Sequence, residues 1–462
     1  MLCHKALHVS FRRYSSSFKN STVLRKPNFD LKNIIINSEK YKDAIIRRNT
    51  PELIQSLEYV VTRRPIEIEL TNKINTKKHE RSKLSEVMKE LKSNAPIEIK
   101  EKLAKAKSEL KLLETERDEL SQTIHEHAES LPNLLDATVP KNTLEGDIVK
   151  FINCASEEDA ERSKPKSKLD HKSIGEKLNI MNFNTAARVS GSSWYYLTGD
   201  GALLEQALIQ YGFSKARVNG YTMVTPPSIV KNEIVNACGF KPNDQNGEQQ
   251  VYQLTNDNLS LIGTAEIPLG AYHSSSTFPS TQNYPIKYVG VSRSFRAEAG
   301  ARGSDTKGLY RVHEFTKVEL FHFTTPDKAS QELEDIKNFQ ISIIEDLGLS
   351  AKMINMPSSD LGAPALKKFD CEAWMPGRKG WGELTSCSNC GDYQSRRLGI
   401  KYEDSKDENK LKYIHTLNGT CVAVPRLIVA IIEQFYDPAT ESILIPEVLR
   451  QYMDGKERIY QN

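Results

Sequence analysis

The sequence predicts an α+β protein built on an antiparallel sheet flanked by helices and preceded by a long antiparallel helical arm. Three observations carry this. The 462 residues amount to about three domain-lengths at roughly 150 residues each. A heptad-like seam runs through the first third of the chain, and short β-branched and aromatic runs alternate with helical stretches after residue 195. With 38% hydrophobic, 8% aromatic and 27% charged residues, the chain is too apolar to be disordered and can bury a sizeable core. The apolar stretch Leu427 to Ile432 falls far below the ~18 residues of a spanning helix, so no membrane partner is expected. Lys and Arg number 63 against 60 Asp and Glu, a net +3, so binding of nucleic acid has to rest on local clustering.

From Met1 to Phe29 the chain carries Lys5, Arg12, Arg13, Lys19, Arg25 and Lys26, a Ser15-Ser16-Ser17 run and no acid before Asp30. This is transit-peptide composition, and Arg12-Arg13-Tyr14-Ser15 resembles a matrix-processing site. Residues 1–26 are therefore expected to direct import into the mitochondrial matrix. Residues 27–150 form the expected N-terminal domain. Within it Leu70, Ile74, Leu84, Met88 and Leu91 repeat at helical intervals, and Pro65 marks a start or a kink. Ser93-Asn94-Ala95-Pro96 supplies a stop and a turn. From Pro96 to His127, Leu103, Ala106, Leu110, Leu113, Leu120 and Ile124 alternate at three and four, with Arg117 filling the missing position. That seam predicts a helix of ~30 residues, or ~45 Å, paired with its neighbour. Between Thr71 and Lys111 stand twelve Lys and Arg against six Glu. A thin rod of about +6 suits a phosphate backbone; a solvated coiled-coil face is the competing reading.

After Leu131-Pro132-Asn133 the helical period breaks, and the charged stretch from Ser156 to Lys172 predicts a linker over 151–177. Residues 178–462 then mix expected helices (Leu203 to Tyr211, Ser330 to Leu347, Val424 to Phe435) with expected strands (Tyr221 to Thr225, Pro285 to Ser292, Lys317 to Phe323). The seven cysteines are scattered and read as free thiols. Only Cys387 and Cys390 have metal-like spacing, and a zinc would need two further ligands such as Cys371 or Cys421. They are expected to be packing residues, with no structural zinc.

Nucleotide chemistry is not announced by a G-x-x-x-x-G-K-[ST] or G-x-G-x-x-G loop. Instead Val289 to Glu298 is a strand-like run ending in Arg-x-Glu, followed by Gly300, Gly303 and Gly308 and a second run from Tyr310 to Phe321. At the base of that hairpin Arg296 could fork an α-phosphate, Glu298 could accept from an adenine amine, and Phe315 could stack on the base.

Here the sequence resembles the seryl-tRNA synthetases, class II aminoacyl-tRNA synthetases, over nearly everything after the leader. The resemblance rests on Gly263 to Leu269 (GTAEIPL), Phe295 to Gly300 (FRAEAG), Gly308 to Phe315 (GLYRVHEF) with Lys317-Val318-Glu319, and Gly382 to Cys390 (GELTSCSNC). Leu417 to Thr420 leading to Arg426 is similar to the family's third motif, and Gly220-Tyr221-Thr222 to Pro226-Pro227 to its dimer-forming first motif. The fold implied is the class II antiparallel sheet, with the helical hairpin as the arm that grips the long variable arm of tRNA(Ser). Carried over, the resemblance implies that Thr264, Ala265, Glu266, Glu319, Asn418 and Thr420 hold L-serine. It implies that Arg296, Glu298, Val312, Phe315, Glu383, Leu384, Thr385, Ser386 and Arg426 hold ATP, with Glu383 taking Mg2+ and Arg296 and Arg426 acting in catalysis. Lys77, Lys78, Arg81, Lys102 and Lys105 are the expected tRNA contacts, and a homodimer is implied. Cys421 and Pro425 depart from the third motif's usual glycines, and Thr420 stands where many members have serine.

The implied reaction is ATP-dependent activation of serine to seryl-adenylate, then transfer to the 3′ end of the tRNA. Positioning and charge stabilisation carry it, with no general base named. Two alternatives stand beside it. A non-catalytic synthetase-like protein would have lost Arg296, Glu298, Glu383 or Arg426, and all four are present. A class II enzyme for threonine or proline is opposed by the two-helix arm and by the lack of an anticodon domain after the third motif.

Overall fold

The structure, a computed structural model, describes residues 24, 27–91, 96–141, 144–163, 169–241, 249–298, 308–408 and 410–461. The expected leader up to Val23, the arm turn at 93–95 and Gly300 and Gly303 lie outside the described residues. The arm consists of α1 (Ile54–Leu91) and α2 (Ile97–Ser130). Leu70, Ile74, Ala106, Leu110 and Ile124 of the seam are buried. Leu84, Met88, Leu103 and Leu113 stay half-buried, because a two-helix rod can cover only one stripe of each helix. The first helix starts upstream of Pro65, behind a 3-10 turn (Pro51–Leu53), and Pro65 lies inside it. At the base of the arm Leu57, Val60, Ile124 and Ala128 form a small core with Leu31, Ile34 and Ile45 from two short preceding helices.

The main sheet has eight strands: β1 (Asp147–Ile152), β2 (Thr222–Val224), β3 (Ile286–Phe295), β4 (Glu314–Thr324), β5 (Ala351–Asn355), β6 (Lys367–Met375), β7 (Gly380–Gly391) and β8 (His415–Ala423). Their spatial order is β1-β5-β6-β7-β8-β4-β3-β2, antiparallel throughout except for the β2–β3 pair. This is the expected class of sheet.

Alternation along β4 shows how the sheet sorts its residues. Val318 and Leu320 enter the main core with the helices Asp200–Val218, Ala329–Asp346 and Val424–Phe435. Phe321 and Phe323 enter a second core with Ile267 and Leu269. Lys317 and Glu319 share their side of the strand, buried and charged, and mark where that second layer gives way to a site.

The expected linker over 151–177 is corrected. The boundary at 150/151 falls inside β1, which pairs with β5 and buries Ile152. Further on, α3 (His171–Lys177), capped by Asp170 accepting from the Ser173 N–H at 2.8 Å, drives Ile174 and the following Leu178 into the main core. The charged residues around them masked an apolar pair at helical spacing.

Candidate active site

A cleft of about 540 Å³, open to solvent, lies where β3, β4, β7 and β8 meet the helix Val424–Phe435. Arg296, Glu298, Val312, Phe315, Glu383, Leu384, Ser386, Thr420 and Arg426 line it, so most of the expected nucleotide residues converge. Thr385 does not line the cleft, and neither do Thr264, Ala265, Glu266, Glu319 and Asn418 of the expected serine set; Thr385 is 1% exposed and paired across the ladder with Cys371, because alternate strand residues face opposite ways. An irregularity in the β6–β7 register sets Leu384 between Glu383, opposite Glu372, and Thr385.

In the nucleotide half, Arg296 stands just past β3. Its Nε donates to the Gly263 carbonyl at 3.3 Å, and its guanidinium lies 5.2 Å from the centroid of Phe315, a stack that a flat base can extend. Arg426 sits in the first turn of its helix. Its Nη1 meets Glu383 Oε2 at 3.1 Å and the Glu383 carbonyl at 3.2 Å, over the ring of Tyr310 at 5.0 Å. Burial pushes the Glu383 carboxyl up, but Arg426, Lys368 and Arg296 outweigh it and hold it at about 2. Glu298 accepts from Arg311 at 2.8 Å. Pro425 is accommodated at the start of the helix, where its missing N–H costs nothing and its fixed φ suits the first turn. Cys421 faces the other way, its Sγ against the Gly212 carbonyl at 3.7 Å.

Behind the cleft wall at Lys317 and Thr420 lies a drier, buried acidic cluster. Glu266 opens a short helix (Glu266–Gly270), with its own N–H donating to Thr264 Oγ1 at 3.3 Å and Ala265 fully buried before it. Its Oε1 accepts from Gln394 at 2.8 Å and from Asn418 at 2.9 Å. Burial, then the nearby Glu319, pushes its carboxyl up to about 7. Glu319, 1% exposed and opposite Thr420 in the β4–β8 ladder, is also pushed up by burial, against the pull of Lys317, whose Nζ stands 2.6 Å from Glu319 Oε2. The same Nζ donates to Thr264 Oγ1 at 3.3 Å. Two carboxylates and one ammonium leave this cluster with a net charge of −1 when both acids are ionised.

Lys317 and Gln394 were missed as site residues. Period-two spacing from Glu319 points to Lys317, whereas nothing local to the sequence places Gln394, which reaches in from a short helix (Tyr393–Leu398) and accepts from Thr416 at 2.7 Å. Cys387 and Cys390 are both buried, and Cys390 Sγ takes an Asn418 N–H at 3.5 Å. The expected tRNA contacts lie apart, on the arm. Lys77 meets Glu80 and Glu109 at 3.2 Å each, Lys78 meets Glu114 at 2.8 Å and Lys102 meets Glu98 at 2.7 Å; Lys105 is exposed and Arg81 half-buried.

Residues 250–435 match the family described as tRNA synthetase class II core domain (G, H, P, S and T). The mitochondrial serine–tRNA ligase of Saccharomyces cerevisiae is 45% identical over 452 residues, 97% of this chain and 99% of that protein. Among solved structures, the seryl-tRNA synthetase of Pyrococcus horikoshii complexed with ATP aligns at a TM-score of 0.86 with 32% identity, over 94% of this chain and all of that one. The cytoplasmic serine–tRNA ligase of Naegleria fowleri in complex with AMP aligns at 0.75 with 29% identity, over 92% and 96%. The chain belongs to the seryl-tRNA synthetases, class II aminoacyl-tRNA synthetases that join serine to its tRNA.

Proposed function

We propose that the cleft activates L-serine with ATP, forming seryl-adenylate, and that the chain transfers the seryl group to tRNA(Ser) in the mitochondrial matrix. The observation that carries this reading is an arginine-walled cleft with a buried acidic cluster directly behind its Lys317 and Thr420 wall. Arg296 and Arg426 face the nucleotide; Glu266 and Glu319, offset by Lys317 and more weakly by Arg296, suit a small ammonium-bearing substrate. Thr264, Ala265, Asn418 and Thr420 complete the serine site.

The carboxylate of serine displaces pyrophosphate at the α-phosphorus, and Arg296 and Arg426 stabilise the charge that develops there. Glu298 orients the adenine amine, Phe315 stacks on the base, and Val312, Leu384 and Ser386 shape the walls. Glu383, held ionised beside Arg426, offers hard oxygen donors suited to Mg2+, and Ser386, three residues further along the strand, also lines the cleft. Mg2+, when bound, supplies positive charge to the phosphates. The buried acceptors around the hydroxyl pocket reject an amino acid that leaves them unpaired.

The tRNA contacts proposed are Lys77, Lys78, Arg81, Lys102 and Lys105. The strand β2 at the sheet edge, with Met223 49% exposed, is the proposed homodimer edge. Import rests on the acid-free leader and on the mitochondrial relative; a reporter fused to residues 1–26 that stays cytosolic would refute it. Pyrophosphate exchange with each of the twenty amino acids tests the central reading: serine should support exchange far better than any other, and no exchange with serine would leave a non-catalytic tRNA-binding protein.

A further inference from the structure

We propose that His171, outside the cleft, is a positioning residue for its nucleotide half, acting through the backbone of Leu309. This rests on the serine-activation reading above. His171 is the first residue of α3, in the stretch that reads as linker in the sequence. Its ring bridges two motifs distant in the chain. Nδ1 lies 2.7 Å from Glu433 Oε1, and Nε2 lies 3.0 Å from the Leu309 backbone nitrogen.

The tautomer follows from the donors. A backbone N–H can only donate, so Nε2 must accept from Leu309, and the ring is neutral with its proton on Nδ1, pointing at Glu433. Glu433 is 3% exposed and fully engaged: Oε1 also takes the His171 N–H at 3.2 Å, and Oε2 takes the Gly377 N–H at 2.9 Å. A buried carboxyl so occupied holds the imidazole in one orientation.

Gly308 shows how tightly the ring is set against the chain. Its φ is +70°, and a Cβ there would stand 2.1 Å from His171 Nε2, so glycine alone admits both the backbone turn and the ring. Downstream, Leu309 is fully buried, Tyr310 lies under Arg426, and Arg311 pairs with Glu298. Arg426 and Glu433 are seven residues apart on one helix and therefore share a face. That helix thus grips the 308–312 wall at two points: directly through Arg426 over Tyr310, and through Glu433 and His171 at Leu309. The second grip sets the height of Tyr310, and with it the reach of Arg426 toward the phosphates.

The test is serine-dependent pyrophosphate exchange, with ATP and serine varied separately, on His171→Leu and His171→Gln. Leucine removes both ring nitrogens; glutamine returns a donor and an acceptor on one side chain. Loss of positioning should lower kcat/KM for ATP roughly 30-fold in His171→Leu while KM for serine moves less than about twofold, and His171→Gln should recover most of the loss. If His171→Leu does not fold, Gly308→Ala, which pushes on the same contact from the other side, should give the same ATP-selective defect. A purely structural role predicts instead a lower Tm and a smaller active fraction, with both KM values unchanged and glutamine no better than leucine; that result overturns the proposal. Absence of serine-dependent exchange in the unaltered enzyme would overturn the functional reading instead.

Discussion

On the arm, Lys77 and Lys78 reach Glu109 and Glu114 across the helix pair with lysine side chains 36% and 47% exposed. In the cleft, Lys317 reaches Glu319 with side chains 11% and 1% exposed. The ion pairs look alike on paper and do opposite work. Exposed pairs of the first kind are screened by water and contribute little, so a phosphate can displace the glutamate at little cost. In the cleft, removing one partner strands a buried charge at about 3–5 kcal/mol, so those groups stay where the fold puts them. The arm can therefore adapt to a polyanion, whereas the cleft is set in advance for one substrate.

The largest effect expected tests the fixed half. Arg426→Ala strips Glu383 of its partner and the cleft of a cation at the phosphates, and should lower exchange at least ~10³-fold, the scale of a lost transition-state charge contact. A loss under about tenfold would show that Arg426 only anchors Glu383.

Next comes Glu319→Gln. Keeping the size but losing a charged acceptor should cost about 2–3 kcal/mol in serine kcat/KM, with ATP kinetics nearly unchanged. Alanine, which has no hydroxyl bond to lose, should suffer less, so the preference for serine over alanine narrows. A parallel fall for both amino acids would mean the hydroxyl is read elsewhere, with Thr420 the next residue to test.

The adaptable half should respond more mildly and differently. Lys77→Ala with Lys78→Ala should weaken aminoacylation about tenfold at moderate salt and flatten its salt dependence by about two units of slope, one for each phosphate contact. Pyrophosphate exchange should not change. An equal loss in both assays would collapse the distinction between the regions.

How much of this was legible in the sequence follows from the range of the signal. The seam, the hairpin and the convergence of Arg296, Glu298, Glu383 and Arg426 were legible, because period and motif spacing are local and β4 alternates cleanly. Thr385 lies off the cleft because a motif quotes four consecutive residues while a strand shows only some of them to the cleft. The linker was misjudged because Ile174 and Leu178 are a minority among charges, and burial depends on which side of the short helix meets the helix Val424–Phe435. Gln394 reaches Glu266 from 128 residues away, a contact that only the closed fold creates.

The smallest expected effect probes Glu266 itself. Its carboxyl is pushed up to about 7, first by burial and then by Glu319, so the proton is held more tightly than in water. A serine ammonium pairs with the ionised form only, and below that pKa part of the protein must first lose a proton. With a value of about 7, roughly a tenth of the sites are ionised at pH 6 and about three quarters at pH 7.5, so apparent serine affinity should rise about eightfold over that range. The sign is fixed by the upward shift: a carboxyl at its ordinary value would already be ionised throughout, and the profile would be flat. Glu266→Gln keeps the Oε1 acceptor for Gln394 and Asn418 but cannot titrate, so its serine binding should be weaker and independent of pH in that window. The measurement is serine dissociation by calorimetry for both proteins. A flat profile in the unaltered protein would mean that Lys317 and the two amides already keep Glu266 ionised; a slope surviving in the variant would assign the titration to Glu319, the other carboxyl that burial pushes up.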